Sequence, residues 1–227
     1  MFQELHDELH VQSIVSWNAL IAGYVQVGQG HEAWTCFEQM RNEGFSPNEI
    51  SFVCALKACG SIGAIDRGKQ IHDEIVQKGL LRTNTILGNA LIDMYAKCGM
   101  LVEAREVHSE LTLRDVVSWS TLIAGYVQQG QGHEALNCFT QMQAEHLSPN
   151  AVTFTCILKA CADTEAINKG MEIHSEIIQS DSLKCDIILA TALVEMYCKF
   201  NMLAKAEQVL DELPVGDAMI WNVLIAG

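Results

Sequence analysis

Proline is nearly absent from this chain, with three residues in 227, and that scarcity excludes collagen-like and proline-rich architectures. No Cys-x-x-Cys pair occurs, so the commonest zinc-ligand spacing is missing. Long apolar runs are also lacking. The best stretch, Ile187 to Val194, stops at Glu195, far short of the ~20 residues of a membrane span. Basic residues are few: 14 against 28 acidic ones leave a formal charge of -14. Such a chain does not grip a polyanion by bulk charge. Apolar residues at 49% and charged ones at 19% exclude disorder and point to a packed core.

What is present includes nine cysteines, an odd number in scattered places. That pattern suits reduced thiols acting as small hydrophobes, not a disulfide framework. The closest pairs, Cys54/Cys59 and Cys156/Cys161, stand five apart, a poor fit to one helix face. The acidic start, Met1 to Glu8, resembles no signal or transit peptide.

The dominant feature is repetition. Shifted by 102 residues, Ile14–Asp115 overlays Val116–Asp217, and 24 of the first 35 positions are identical. A shorter period divides each unit into members of 35, 36 and 31 residues. These are 14–48, 49–84, 85–115, 116–150, 151–186 and 187–217. Residues 1–13 read as the tail of an earlier 31-residue member, and 218–227 as the start of a truncated 35-residue one. Ends of that kind suggest a piece of a longer product.

Each member reads as two helices. Trp17, Leu20, Ile21 and Tyr24 fall at i, i+3, i+4 and i+7, a helical stripe. Ser16 is the expected N-cap of that helix. The Gly28-Gln29-Gly30 segment ends it, and His31 to Glu43 forms a second with Ala33, Phe37 and Met40 on one face. Gly44 and Pro47 supply the stop. Phe52, Leu56, Cys59, Gly68, Ile71 and Ile75 repeat the plan, as do Leu87, Leu91, Met94, Tyr95, Ala104 and Val107. One helix pair cannot bury both faces, so neighbours must stack. The expected class is all-α, a right-handed superhelical solenoid of helix-turn-helix repeats, with Trp17, Trp119 and Trp221 in its core.

Three strings carry a family resemblance: Trp17-Asn18-Ala19-Leu20-Ile21, the Gly-x-x-x-Glu-Ala-x-x-x-Phe-x-x-Met of Gly28–Met40, and Pro47-Asn48. They resemble pentatricopeptide repeats. The alternating lengths resemble the plant PLS subclass, with its P (long), L and S (short) motifs. Members 14–48 and 116–150 would be P motifs, the strings Leu56–Cys59 and Gly68–His72 resemble an L motif, and Asn89–Gly99 resembles an S motif.

That resemblance implies binding of single-stranded organellar RNA, one base per motif. An apolar residue at the second position of each motif would wedge against the bases: Val15, Ile50, Ile86, Val117, Val152 and Ile188. All six are β-branched; they could equally mark where the chain enters a buried helix. Base choice would rest on the fifth and last residues of each motif. The pairs are Asn18 with Asn48, Asn89 with Asp115, Ser120 with Asn150, and Thr191 with Asp217. By the family's rule they read pyrimidine, uracil, adenine and guanine. The L motifs carry Val53/Asn84 and Thr155/Asp186, and Val53 offers no hydrogen bond. Asn and Asp are also common at solvated helix ends and turns. Lysine is frequent near the end of the first helix, and Lys97 and Lys199 match; Gln26 and Gln128 stand there in the 35-residue members.

The resemblance implies a mitochondrial or chloroplast location, editing or processing factors as further partners, and neither DNA nor a membrane. No enzyme is expected. His72-Asp73-Glu74, His108-Ser109-Glu110 and His174-Ser175-Glu176 spell His-x-Glu, but none has the Cys-x-x-Cys of a zinc deaminase. No catalytic residue, metal or cofactor is expected, and any deaminase would lie in a further domain. The competing reading is a helical-repeat scaffold for a basic protein partner.

Overall fold

The computed structural model describes residues 13–179 and 186–211. Among them every regular element is helical. Twelve α-helices follow in pairs, the first and second helix of each repeat: α1 (Ile14–Gln26) with α2 (Gly30–Asn42), α3 (Glu49–Ile62) with α4 (Ile65–Gln77), and α5 (Thr85–Lys97) with α6 (Leu101–Glu110). Then come α7 (Val116–Gln128) with α8 (Gly132–Ala144), α9 (Ala151–Asp163) with α10 (Ile167–Gln179), and α11 (Ile187–Lys199) with α12 (Leu203–Asp211). A 3₁₀ turn, Leu81–Thr83, precedes α5. The chain divides into two compact units between Ser118 and Trp119.

In the first unit, α3 packs on both α1 and α5, while α2 and α4 flank this row and α6 covers α5. In the second, α9 packs on α11, with α8 and α10 against α9 and α12 against α11. The first helices thus form an inner row in each unit, and this stacking buries what a lone hairpin would leave open. Trp17, Ile21, Phe37, Met40, Phe52, Leu56, Ile75, Leu87 and Leu91 are at or below 1% exposure. Phe37 meets Phe52 at 6.5 Å between ring centroids, and Phe139 meets Phe154 at 6.2 Å. Both are within the range of favourable tilted ring pairs. Trp119 is also buried; Trp221 lies outside the described residues.

The helix starts are set by side chains. Ser13, not Ser16, is the N-cap of α1: its Oγ accepts from the Ser16 backbone N–H, and Ser16 Oγ accepts in return from the Ser13 N–H. The expected cap sits one turn inside, as the closing member of a capping box. Asn48/Ser51 and Asn150/Thr153 build the same box at α3 and α9. Close packing explains Gly30 at the start of α2. A Cβ there would press on Ser61 and Ile62 and lie 3.2 Å from the Ala58 carbonyl. Gly44 ends its hairpin with φ +87°; His146, at the matching place one long period later, takes φ 59° without glycine's freedom.

The cysteines behave as hydrophobes. Cys36, Cys54, Cys59, Cys138 and Cys161 are buried, and Cys98, Cys156 and Cys198 are half-buried. Burial pushes the Cys59 thiol up to about 12 and those of Cys36 and Cys161 up to about 11, so their thiolates are scarce at neutral pH. Among the described residues no helix is long and apolar enough to cross a membrane.

Candidate functional site

The second position of every inner helix is an exposed aliphatic residue. Val15 is 72% exposed, Ile50 58%, Ile86 61%, Val117 53%, Val152 58% and Ile188 67%. None of them enters the core. In five of the six helices the next residue turns inward: Ser51, Ser118 and Thr153 are 0% exposed, Leu87 0% and Leu189 1%; Ser16, after Val15, is half-buried. A β-branched aliphatic in water, held by a rigid helix start beside a buried neighbour, is a stiff apolar surface for a flat ligand.

Beside these residues sit the polar pairs. In the first repeat Asn18 Nδ2 donates to Asn48 Oδ1 at 3.0 Å, across 30 residues of sequence. Asn48 Oδ1 also accepts from the Ser51 N–H at 3.0 Å, and Ser51 Oγ donates to Asn18 Oδ1 at 2.6 Å. In the fourth repeat Ser120 Oγ and Thr153 Oγ1 are 2.7 Å apart, and Thr153 Oγ1 and its N–H both lie 2.9 Å from Asn150 Oδ1. The fifth-position residues of these repeats are nearly covered, Asn18 at 6% and Ser120 at 5% exposure. Their last-position partners, Asn48 and Asn150, are exposed. The amide that meets solvent is therefore the last residue's, braced from behind.

The other pairs differ. Asp115 Oδ1 accepts from the Ser118 N–H at 2.7 Å, and Ser118 Oγ donates to the Asp115 backbone carbonyl at 2.8 Å. The second carboxylate oxygen of Asp115 takes no part in that cap. Asn89 is half-buried, and its Oδ1 is enclosed with no hydrogen-bond partner. Thr191 Oγ1 donates to the Ile187 carbonyl at 2.7 Å; its sequence partner, Asp217, lies outside the described residues. In the 36-residue repeats Asn84 and Asp186 accept only from backbone, at Leu87 and Leu189, each at 3.0 Å. The helix-end role anticipated for Asn and Asp is thus real at Asn48, Asn84, Asn150 and Asp186, all N-caps.

Charge is divided between the layers. Among the described residues the six first helices carry four acidic and four basic side chains, and the six second helices thirteen and six. The inner row is neutral although the chain is strongly acidic. Lys97 and Lys199 are exposed and paired with Asp93 at 2.7 Å and Asp163 at 2.6 Å. Such surface pairs contribute about 0–1 kcal/mol, so a phosphate can compete for either lysine. Sequence reading passed over Lys57 and Lys159, which are exposed on α3 and α9. Their 102-residue recurrence was the available signal.

The His-x-Glu strings are structural. His72 Nδ1 lies 2.8 Å from Tyr95 Oη, and His174 Nδ1 lies 2.7 Å from Tyr197 Oη, each joining neighbouring hairpins. Burial pulls the His72 pKa down, against Glu110 and Asp73, and pushes Tyr95 up to about 12. His108 is buried at 4% exposure. Among the described residues no group of three or more His, Cys, Asp or Glu could hold a metal ion.

Comparison with known proteins places this geometry. Residues 12–61 and 114–163 match the model of the PPR repeat family, and 89–116 and 189–215 match that of the PPR repeat. A chloroplastic pentatricopeptide repeat-containing protein of Arabidopsis thaliana is 34% identical over 97% of this chain and 36% of its own length. A putative mitochondrial one from the same plant is 37% identical over 97% of this chain and 35% of its own length. The chain thus spans about a third of the length of these relatives. The crystal structure of the pentatricopeptide repeat protein PPR10 from maize aligns with a TM-score of 0.70 at 20% identity, over 99% of this chain and 33% of that one. PPR10 in complex with an 18-nt psaJ RNA element aligns at 0.53 and 17% identity, over 98% of this chain and 39% of that one.

Proposed function

The chain belongs to the PPR repeat family, and from that premise we propose that it binds single-stranded RNA sequence-specifically, one base per repeat. The observation that carries this reading is the pairing, at each P-motif helix start, of an exposed stiff aliphatic with a braced polar pair. Val15, Ile50, Ile86, Val117, Val152 and Ile188 would support the base faces. Asn18/Asn48 would read a pyrimidine, Asn89/Asp115 uracil, Ser120/Asn150 adenine, and Thr191/Asp217 guanine. The chemistry is sound for the acidic ends: the unused carboxylate oxygen of Asp115 can accept from a ring N–H, as uracil requires. Lys97 and Lys199, joined by Lys57 and Lys159, would meet phosphates.

The RNA bound by PPR10 supports the partner class. Relatives named as chloroplastic and mitochondrial support an organellar transcript as the target; a role in its processing or C-to-U editing is what the likeness to the PLS subclass implies. A second reading has its own observation. The acidic second helices, with thirteen carboxylates against six cations, suit a basic protein partner on the outer layer. The two surfaces are different helices, so the readings are compatible.

The test is fluorescence anisotropy with a panel of short RNA strands at low and moderate salt. Sequence-dependent affinity is expected, with log K falling against log salt by no more than ~3, the limit for about four phosphate contacts on a single strand. Equal affinity for all strands, or none for any, discards the reading.

A further inference from the structure

We propose that the hydroxyl residue three positions beyond each 35-residue P motif, Ser51 after the first repeat and Thr153 after the fourth, is a specificity-determining residue whose side chain locks the buried fifth-position residue to the base-facing amide of the last residue. The inference rests on the RNA-reading function proposed above and names a residue that neither the fifth nor the last position supplies.

The geometry begins with a donor that cannot be reversed. The Ser51 backbone N–H points at the Asn48 side chain from 3.0 Å, and a backbone N–H only donates. The Asn48 atom facing it must therefore be the carbonyl oxygen, which turns the NH₂ group away from the helix. Asn18 is set in the same way. Its NH₂ must face Asn48 Oδ1, because the opposite orientation would oppose two carbonyl oxygens at 3.0 Å. Its own oxygen then faces Ser51 Oγ at 2.6 Å and takes the hydroxyl proton. The hydroxyl oxygen accepts from the Asn48 N–H at 3.2 Å. One buried hydroxyl thus holds both ends of the reading pair. In the fourth repeat Thr153 Oγ1 stands between Ser120 and Asn150 at 2.7 and 2.9 Å, in the same position 33 residues beyond the fifth-position residue.

The pattern follows motif type. After the 36-residue repeats this position is Leu87 or Leu189. Asn84 and Asp186 then keep only the backbone cap, and nothing ties them to Val53 or Thr155. After the 31-residue repeat Ser118 spends its proton on the Asp115 backbone carbonyl, so the carboxylate is left to accept. The backbone cap is common to all these ends; what the third residue's side chain adds is a locked pair after the 35-residue repeats, a bond to backbone only at Ser118, and no lock at Leu87 or Leu189.

The test uses the full chain and RNA strands that differ only at the base facing the first complete repeat. The wild type should prefer its best base there. Ser51→Ala should lose most of that preference, about fivefold to tenfold in the ratio of affinities, the size expected for one oriented hydrogen bond. Preference at the other positions should persist. Ser51→Thr should restore it, since Thr153 does the same work. Ser16→Ala, which removes an equivalent capping box at α1, should leave the first repeat's preference intact and so separates orientation from stability. In the free protein, the side-chain NH₂ resonances of Asn18, which is buried and donates to Asn48 Oδ1, should lose their distinct, slowly exchanging character in Ser51→Ala and keep it in Ser16→Ala. Undiminished preference in Ser51→Ala, with the wild type discriminating, overturns the inference and leaves the function standing. A wild type that does not discriminate overturns both.

Discussion

Ile86→Ala tests the aliphatic surface without touching the core. Ile86 is 61% exposed at the start of α5, where the fold gains little from its side chain. Full burial of an isoleucine contributes about 1.5–3 kcal/mol, so roughly 1–2 kcal/mol remains to be gained when a ligand covers the exposed part. A base covers one side only, and alanine keeps the Cβ. The expected loss is therefore about 1 kcal/mol, or about fivefold in Kd. Stability should hold or rise by a few tenths of a kcal/mol, because alanine is the better helix former at a solvated site. The side chain makes no hydrogen bond, so all four bases facing that repeat should weaken alike. Anisotropy with four strands and a thermal melt by circular dichroism measure both effects. An unchanged Kd would refute the wedge. A melting temperature lowered by several degrees would show instead that Ile86 supports the fold.

Three further expectations concern other parts of the chain. Asn89→Thr should move the third complete repeat's preference from uracil toward guanine, read by the same anisotropy panel; an unchanged preference would remove Asn89 from the reading set. His72 is held neutral by burial, with its pKa below the ordinary 6.5. The unfolded chain therefore takes up that proton first, so this contribution to stability is complete above about pH 6.5 and is lost as pH falls below it. Urea midpoints at pH 7.5 and 5.5 should fall for the wild type and fall less for His72→Gln, and equal drops would exclude His72 as a source. His146→Gly should stabilise by about 0.5–1 kcal/mol, since a side chain at φ 59° is strained where Gly44 is not. A lower melting temperature would mean that the imidazole does something the backbone conformation does not explain.

The alternation of helices, the stripe of Trp17, Ile21, Phe37 and Phe52, and the Asn or Asp at each repeat end were legible because periodicity and capping are local. Each is decided within a turn or two of helix. Even so, the N-cap of α1 is Ser13, not the expected Ser16. In a capping box both serines bond each other, and composition alone does not say which lies outside the helix.

Sequence alone therefore determined the paired helices, since a recurring hydrophobic stripe admits few other ways to bury itself; the likeness to PPR repeats came from the strings at Trp17–Ile21, Gly28–Met40 and Pro47-Asn48. Only the tertiary structure decided which side chains meet water. A β-branched residue at a helix start reads the same whether it is covered or bare, and stacking left Val15, Ile50 and Ile86 bare. It also decided that Asn18 answers to Ser51, 33 residues away, and that the inner helices are neutral within an acidic chain. Those facts depend on which hairpin lies against which, and hydrogen bonds across thirty residues leave no trace in local pattern.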